Sequence, residues 1–234
     1  MTRMASPIVC LDMAGTVVND GGSVEDAFTQ ALSAVAEPTT DEITNYIQAT
    51  MGQSKIEVFM ALLGDEQQAK LATEAFDEAY LAGVAAGSAS LIPGARQALE
   101  RLRDAGCLIC LTTGFSPRIR RALIDKLELG DQIDVSLSPA DAFGRRGRPA
   151  PDMLLTALIQ LSGSSVRDLV VCGDTASDIR TGRNAGAGLL VGVLTGAHSR
   201  SELLVERPDL IAESVADLPV AVDEWMRARG EIDA

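Results

Sequence analysis

Asp12-Met13-Ala14-Gly15-Thr16, Thr113-Gly114, Gly147-Arg148-Pro149 and Gly173-Asp174-Thr175-Ala176-Ser177-Asp178 hold the polar groups that could do chemistry in this 234-residue sequence. They amount to two acidic clusters, a hydroxyl beside a glycine, and one arginine. Carboxylate oxygens suit a hard cation such as magnesium, and such a cation neutralises a phosphoryl group. An aspartate beside it can attack as a nucleophile, forming an acyl phosphate that splits one hard displacement into two easier ones. Helix capping is the competing reading. It suits Asp178 in part and explains Asp12 and Asp174 poorly.

Other reactive types are scarce. His198 is the only histidine, so no mechanism that needs two imidazoles is open to the chain, and the residue reads as part of a solvated loop. Cys10, Cys107, Cys110 and Cys172 all lie in apolar, β-branched runs, where a thiol behaves as a small hydrophobe; they read as reduced core residues of a cytoplasmic protein. Cys107 and Cys110 have the spacing of a redox or zinc pair, yet strand residues three apart point to opposite faces, and no second pair or nearby histidine completes a site. Arg145 and Arg146, close to Arg148, read as solvated.

The polar stretches stand where a particular fold would bring them together. Short apolar runs at residues 8–11, 108–112, 135–138, 169–172 and 189–193 alternate with helical patterns at 94–105, 117–127, 152–161 and 178–184. That alternation predicts an α/β protein with a parallel sheet buried on both faces. Ligands of such a sheet bind at the carboxyl ends of its strands, where three of the stretches fall, with Gly147-Arg148-Pro149 standing before a later helix and converging on the same edge. Residues from about 23 to 89 contain only helix-forming segments, and Gly87-Ser88-Ala89-Ser90 with Pro93-Gly94 marks the return. The predicted organisation is a core of residues 1–20 and 90–234 with an inserted helical domain at 21–89.

Composition limits the partners. Apolar residues make up 47% of the chain and charged residues 23%, an ordinary globular balance. Twenty basic against 33 acidic side chains give a net charge of −13, which repels nucleic-acid phosphates and anionic lipid. The apolar run after the first seven residues stops at Asp12, too short for a leader, and no run of about twenty apolar residues occurs. Neither nucleic acid nor membrane is expected as a partner.

Taken in order, and with a helical insert after the first, the four motifs resemble those of the haloacid dehalogenase superfamily of phosphotransferases over nearly the whole chain. The resemblance implies a Rossmann-like core with a helical cap, Asp12 as nucleophile, and Mg²⁺ held by Asp12, Asp174 and the backbone carbonyl of Ala14, with Asp178 supporting the shell. Thr113, the Gly114 amide and Arg148 would bind the phosphoryl oxygens. The superfamily usually has a second aspartate two residues after the nucleophile as general acid and base; here that position is Ala14. General acid–base help is worth about 10²–10⁴-fold, so the leaving group should be one that needs no proton from residue 14.

Asp-x-Ala-Gly-Thr, with arginine in Arg148-Pro149-Ala150-Pro151 where most relatives have lysine, resembles phosphonoacetaldehyde hydrolase (phosphonatase) and its relatives. Met51-Gly52-Gln53-Ser54-Lys55-Ile56 is similar to the stretch bearing that subgroup's Schiff-base lysine, which implies Lys55 as the imine-forming residue. Ala14, Gly15, Met51, Gly52 and Gly114 would then contact substrate. An iminium accepts the electrons of a breaking C–P bond, so carbon leaves as an enamine and no alkoxide needs a proton. At about 100° per residue, Lys55 shares a helix side with Met51, Phe59 and Leu62, at the flank of the apolar stripe. The competing reading is a lysine that snorkels from an amphipathic helix, or one that merely pairs with an anionic substrate. One departure stands out: the subgroup has a histidine three residues after the lysine, and here that residue is Val58. A small phosphorylated or phosphonate substrate is expected, and the resemblance implies a homodimer through the cap. The alternatives are a phosphomonoesterase of the phosphoglycolate phosphatase type and a catalytically silent binding protein. Dehalogenation ranks lower, because it would leave Asp174 and Asp178 without a role.

Overall fold

Residue pattern and sheet order are directly related in this chain. A computed structural model describes residues 6–230; residues 1–5, part of the stretch weighed as a leader, and 231–234, the end of the expected core, lie outside the described residues. The apolar runs form β1 (Ile8–Asp12), β4 (Leu108–Thr112), β5 (Val135–Leu137), β6 (Leu169–Gly173) and β7 (Leu189–Val193), joined by β8 (Leu210–Ala212), which the sequence reading did not include. All pairs are parallel, in the order β5-β4-β1-β6-β7-β8. The chain moves outward from β1 to β4 and β5, then crosses to β6 on the other flank. The carboxyl end of β1 is therefore the point where the order reverses, and a crevice opens there.

Alternation along each central strand serves two layers. Val9, Leu11, Ile109 and Leu111 face one core, closed by Leu99 and Leu102 of α5 (Ala95–Asp104), Ile119 of α6 (Pro117–Lys126) and Val222 of α10 (Leu218–Ala228). Ile8, Cys10, Cys110 and Val171 face the other, with Met153 and Ala157 of α7 (Asp152–Gln160), Ile179 of α8 (Ala176–Ala185) and Leu203 of α9 (Arg200–Val205). Cys107 and Cys110 belong to opposite layers, and all four cysteines are buried. α8 starts two residues earlier than its pattern suggested because Thr175 and Asp178 form a capping box, and it stops at Gly186 with φ 77°.

The insert is all helical: α1 (Ser23–Ala34), α2 (Asp41–Ala49), α3 (Lys55–Leu63) and α4 (Glu66–Ala86). Thr40 and Asp65 cap α2 and α4 through their side chains, and Gly64 and Gly87 end α3 and α4 in left-handed geometry. Where the chain leaves and re-enters the core, β2 (Val18–Asn19) and β3 (Ser90–Leu91) pair antiparallel. No helix among the described residues is long and apolar enough to cross a membrane.

Candidate active site

Asp12 is the last residue of β1, paired in register with Thr112 of β4, and it is 5% exposed. Arg148 holds it: one guanidinium nitrogen lies 2.7 Å from Asp12 Oδ1, while Nε lies 2.9 Å from Asp178 Oδ1. The same guanidinium donates to the Thr112 hydroxyl at 2.6 Å and to the Gly52 carbonyl of the cap at 3.1 Å. Asp178 uses its other oxygen to accept from the Thr175 amide and hydroxyl. Asp174 accepts from the Thr16 hydroxyl at 3.0 Å and from the Ala197 amide at 2.8 Å. Gly15, at φ 85°, lies so close that a Cβ there would stand 2.5 Å from Asp174 Oδ2.

Two buried carboxylates thus share one guanidinium, and a third, Asp174, is buried beside them without touching it. Burial pushes the Asp12 carboxyl well up; Arg148 pulls it down, but Asp178 and Asp174 raise it further. Asp174 is pushed up to about 6 by burial and by Asp178, against the pull of its two donors. An oxygen-rich set short of positive charge fits a hard divalent cation. Among the described residues no three acidic, histidine or cysteine side chains alone form a metal cluster. A cation at Asp12 and Asp174 would therefore complete its shell with a backbone carbonyl and water, as magnesium commonly does.

Lys55 approaches from the cap. It begins α3 and is only 5% exposed, and its Nζ lies over the rings of Phe28, Phe115 and Phe76 at 5.1, 5.4 and 5.5 Å. Four of the chain's five phenylalanines, together with Tyr80, form this connected cage. Burial lowers the ammonium to about 8, against the pull of the Asp12 charge. The competing reading of a snorkelling lysine does not hold, since the side chain is 5% exposed and lines the cavity under the cap instead of running out to the surface. Met51 lies in the turn before α3 rather than on the helix, and it still reaches the site.

The cap is shut over the core. Gly114 packs under the carbonyls of Gly52 and Gln53 so closely that any Cβ would collide with the cap backbone. Glu57 accepts from the Gly147 amide at 3.1 Å. His198, expected in solvent, is 7% exposed: Nδ1 accepts from the Ala176 amide at 3.0 Å, and Nε2 lies 3.2 Å from the Gln48 carbonyl. Its burial comes from the cap resting on it, a tertiary contact that local sequence does not encode. Arg145 is exposed as expected, whereas Arg146 is exposed but makes a forked pair with buried Asp152.

Between cap and core lies a cavity of about 260 Å³. Asp12, Ala14, Gly15, Thr113, Gly114 and Asp174 line it from the core, and Met51, Gly52 and Lys55 from the cap. Arg148 and Asp178 stand behind Asp12 rather than on the cavity wall. Phe115, Asp20, Thr175 and Thr195 also line it and were missed. Thr16 and Thr175 were quoted in the motifs without a role. Their spacing, four residues after Asp12 and three before Asp178, was the available signal.

A parallel sheet with its carboxylates at the β1 end, covered by a helical cap, is the architecture of a capped α/β hydrolase. The chain belongs to the haloacid dehalogenase-like hydrolase family, which it matches over residues 7–186. It is 28% identical to the phosphonoacetaldehyde hydrolase of Parabacteroides distasonis, covering 95% of this chain and 89% of that protein. It is 26% identical to the probable phosphatase IndB of Dickeya dadantii, covering 91% of each. Its fold is shared by a phosphonoacetaldehyde hydrolase-like protein of Oleispira antarctica, with a TM-score of 0.82, 24% identity and coverage of 99% of this chain and 97% of that one.

Proposed function

We propose that this hydrolase cleaves the C–P bond of a small phosphonoaldehyde of the phosphonoacetaldehyde type through an imine at Lys55. The observation that carries this reading is the buried Lys55 amine, lowered to about 8 and facing the cavity that Asp12 lines from the other side. A lysine held this way is partly neutral near pH 8 and able to attack a carbonyl.

The Lys55 amine adds to the aldehyde carbon, and loss of water leaves an iminium. A carboxylate oxygen of Asp12 then attacks phosphorus; the P–C bond breaks, and its electron pair moves into the iminium to give an enamine. Protonation at carbon and hydrolysis return Lys55 and release the aldehyde, while water cleaves the aspartyl phosphate. Thr113 and the Gly114 amide face the phosphonate end, and Arg148 fixes the Asp12 oxygen it holds, so that the other is presented to phosphorus. Asp12, Asp174 and the Ala14 carbonyl would hold Mg²⁺, with Asp178 supporting them through Arg148. The bound ion supplies charge neutralisation to the phosphonate. Ala14 is no handicap in this reaction, because the departing carbon is stabilised as an enamine. The reduced, buried cysteines support a cytoplasmic location.

One observation favours a second reading, a phosphomonoesterase: the Dickeya relative is named a probable phosphatase and covers 91% of the chain. Phosphate release from phosphonoacetaldehyde with Mg²⁺, compared between the native protein and Lys55→Ala beside a panel of phosphate esters, separates them. Release from the phosphonate that vanishes in the variant supports C–P cleavage. Ester hydrolysis equal in both proteins, with no release from the phosphonate, selects the phosphatase.

A further inference from the structure

Imine formation needs protons moved at Lys55, and the usual candidates are absent or occupied. Position 58 is valine, buried in the cap. His198 is held between the Ala176 amide and the Gln48 carbonyl and does not line the cavity. Tyr80 adjoins the cage, but burial pushes its phenol up, and its hydroxyl has neither a hydrogen-bond partner among the described residues nor access to the cavity. Asp12 is bound to Arg148 and Asp174 to two donors. Glu25 also lines the cavity but is exposed, and its carboxylate is taken up by the Gln48 side-chain amide.

Asp20 remains. It follows β2 at the hinge, half-buried, and lines the same cavity as Lys55. Its Oδ1 accepts from the Gly22 amide at 3.2 Å and its carbonyl from the Ser23 amide at 3.1 Å, which fixes the turn that presents it. Its negative charge acts on the Lys55 ammonium. Asp20 is thus the cavity carboxylate on the lysine side that neither Arg148 nor the Asp174 donors engage.

Building on the imine reading, we infer that Asp20 is the general base and acid of imine formation. Its carboxylate takes a proton from the Lys55 ammonium, and the free amine bonds to the aldehyde carbon as the C=O electrons move to oxygen. Asp20 relays the N–H proton to that oxygen and gives up its own as the C–O bond breaks and water leaves. The ammonium and aldehyde have then become an iminium and water, with charge conserved and Asp20 again a carboxylate.

Acetaldehyde, which lacks a C–P bond, isolates this step from phosphoryl transfer. Borohydride trapping of the Lys55 adduct, followed by mass spectrometry in a single-turnover time course, gives its rate in the native protein, Asp20→Asn and Asp20→Glu. Trapping in Asp20→Asn should be slower by about 10²-fold, partly restored in Asp20→Glu and raised by added formate. A merely structural role would not respond to formate, and thermal unfolding of each variant separates misfolding from lost chemistry. Native-rate trapping in folded Asp20→Asn overturns the role of Asp20 and leaves the imine standing. No adduct in the native protein overturns both.

Discussion

Replacing Lys55 by methionine should make the protein more stable while removing its chemistry. The side chain is 5% exposed, and its lowering from 10.5 to about 8 means that folding works against the bound proton. A shift of that size corresponds to about 3 kcal/mol at neutral pH. Cation–π attraction from three rings offsets part of it, leaving a net gain of about 1–2 kcal/mol for a methionine of similar length. The sign follows from linkage: between pH 8 and 10.5 the folded state binds fewer protons here than the unfolded chain. Native stability at this residue therefore rises with pH across that window, and the variant has no such rise. The advantage of Lys55→Met should shrink by about 1 kcal/mol between pH 7 and pH 9. Urea unfolding of both proteins at the two pH values measures it. A variant less stable than the native protein at pH 7, or an advantage unchanged at pH 9, would show that the amine is not held in a desolvated cage.

Other expectations follow from the same geometry. At saturating Mg²⁺, kcat/KM for a phosphonoaldehyde should rise with pH through about 8 as Lys55 loses its proton; a profile flat from pH 6.5 to 9 would contradict this. Gly114→Ala should lower kcat/KM by about 10²-fold or more by propping the cap open, with little change in unfolding temperature; native kinetics would show that closure is not needed. Mg²⁺ at a hundred times its Kd should stabilise the protein by about 2.7 kcal/mol, a shift that Asp174→Asn removes and chelator reverses in calorimetry. His198→Ala should cost about 1–2 kcal/mol and speed hydrogen exchange in α2, since its ring joins Gln48 to the Ala176 amide; unchanged exchange would mean the cap is held elsewhere.

The central strands were legible because residues buried on both faces must be apolar throughout, as Ile8–Asp12 and Leu169–Gly173 nearly are. β8 was not, being three residues at the sheet's edge with Leu210 exposed. The two-residue strands β2 and β3 carry too little pattern to read at all. At the site, Asp12, Thr113 and Asp174 each end or follow an apolar run, so a rule about strand ends finds them, whereas Arg148, in a loop ahead of α7, was found by its motif alone. The cage around Lys55 escaped because Phe28, Phe59, Phe76 and Phe115 come from separate helices and a loop, with no shared periodicity. Asp20 escaped because a lone acid in a glycine-rich turn has no sequence signature beyond the turn itself.

The place of β1 in the sheet bears on how the chain is made. Ile8 pairs with Leu108 on one side and Leu169 on the other, so β1, made before either neighbour, has no partner until residue 108 has followed and only one until residue 169. The insert has the opposite character: its helices close on one another within residues 23–86, the first against the last, and can condense before the sheet is complete. Synthesis should therefore present a formed helical bundle tethered to a waiting apolar strand, a period in which a chaperone has most to protect. Asp12 gains its fixed position only once Arg148 and the strand after it, β6, have arrived. Chains arrested before residue 169 should expose β1 to protease while residues 23–86 resist it.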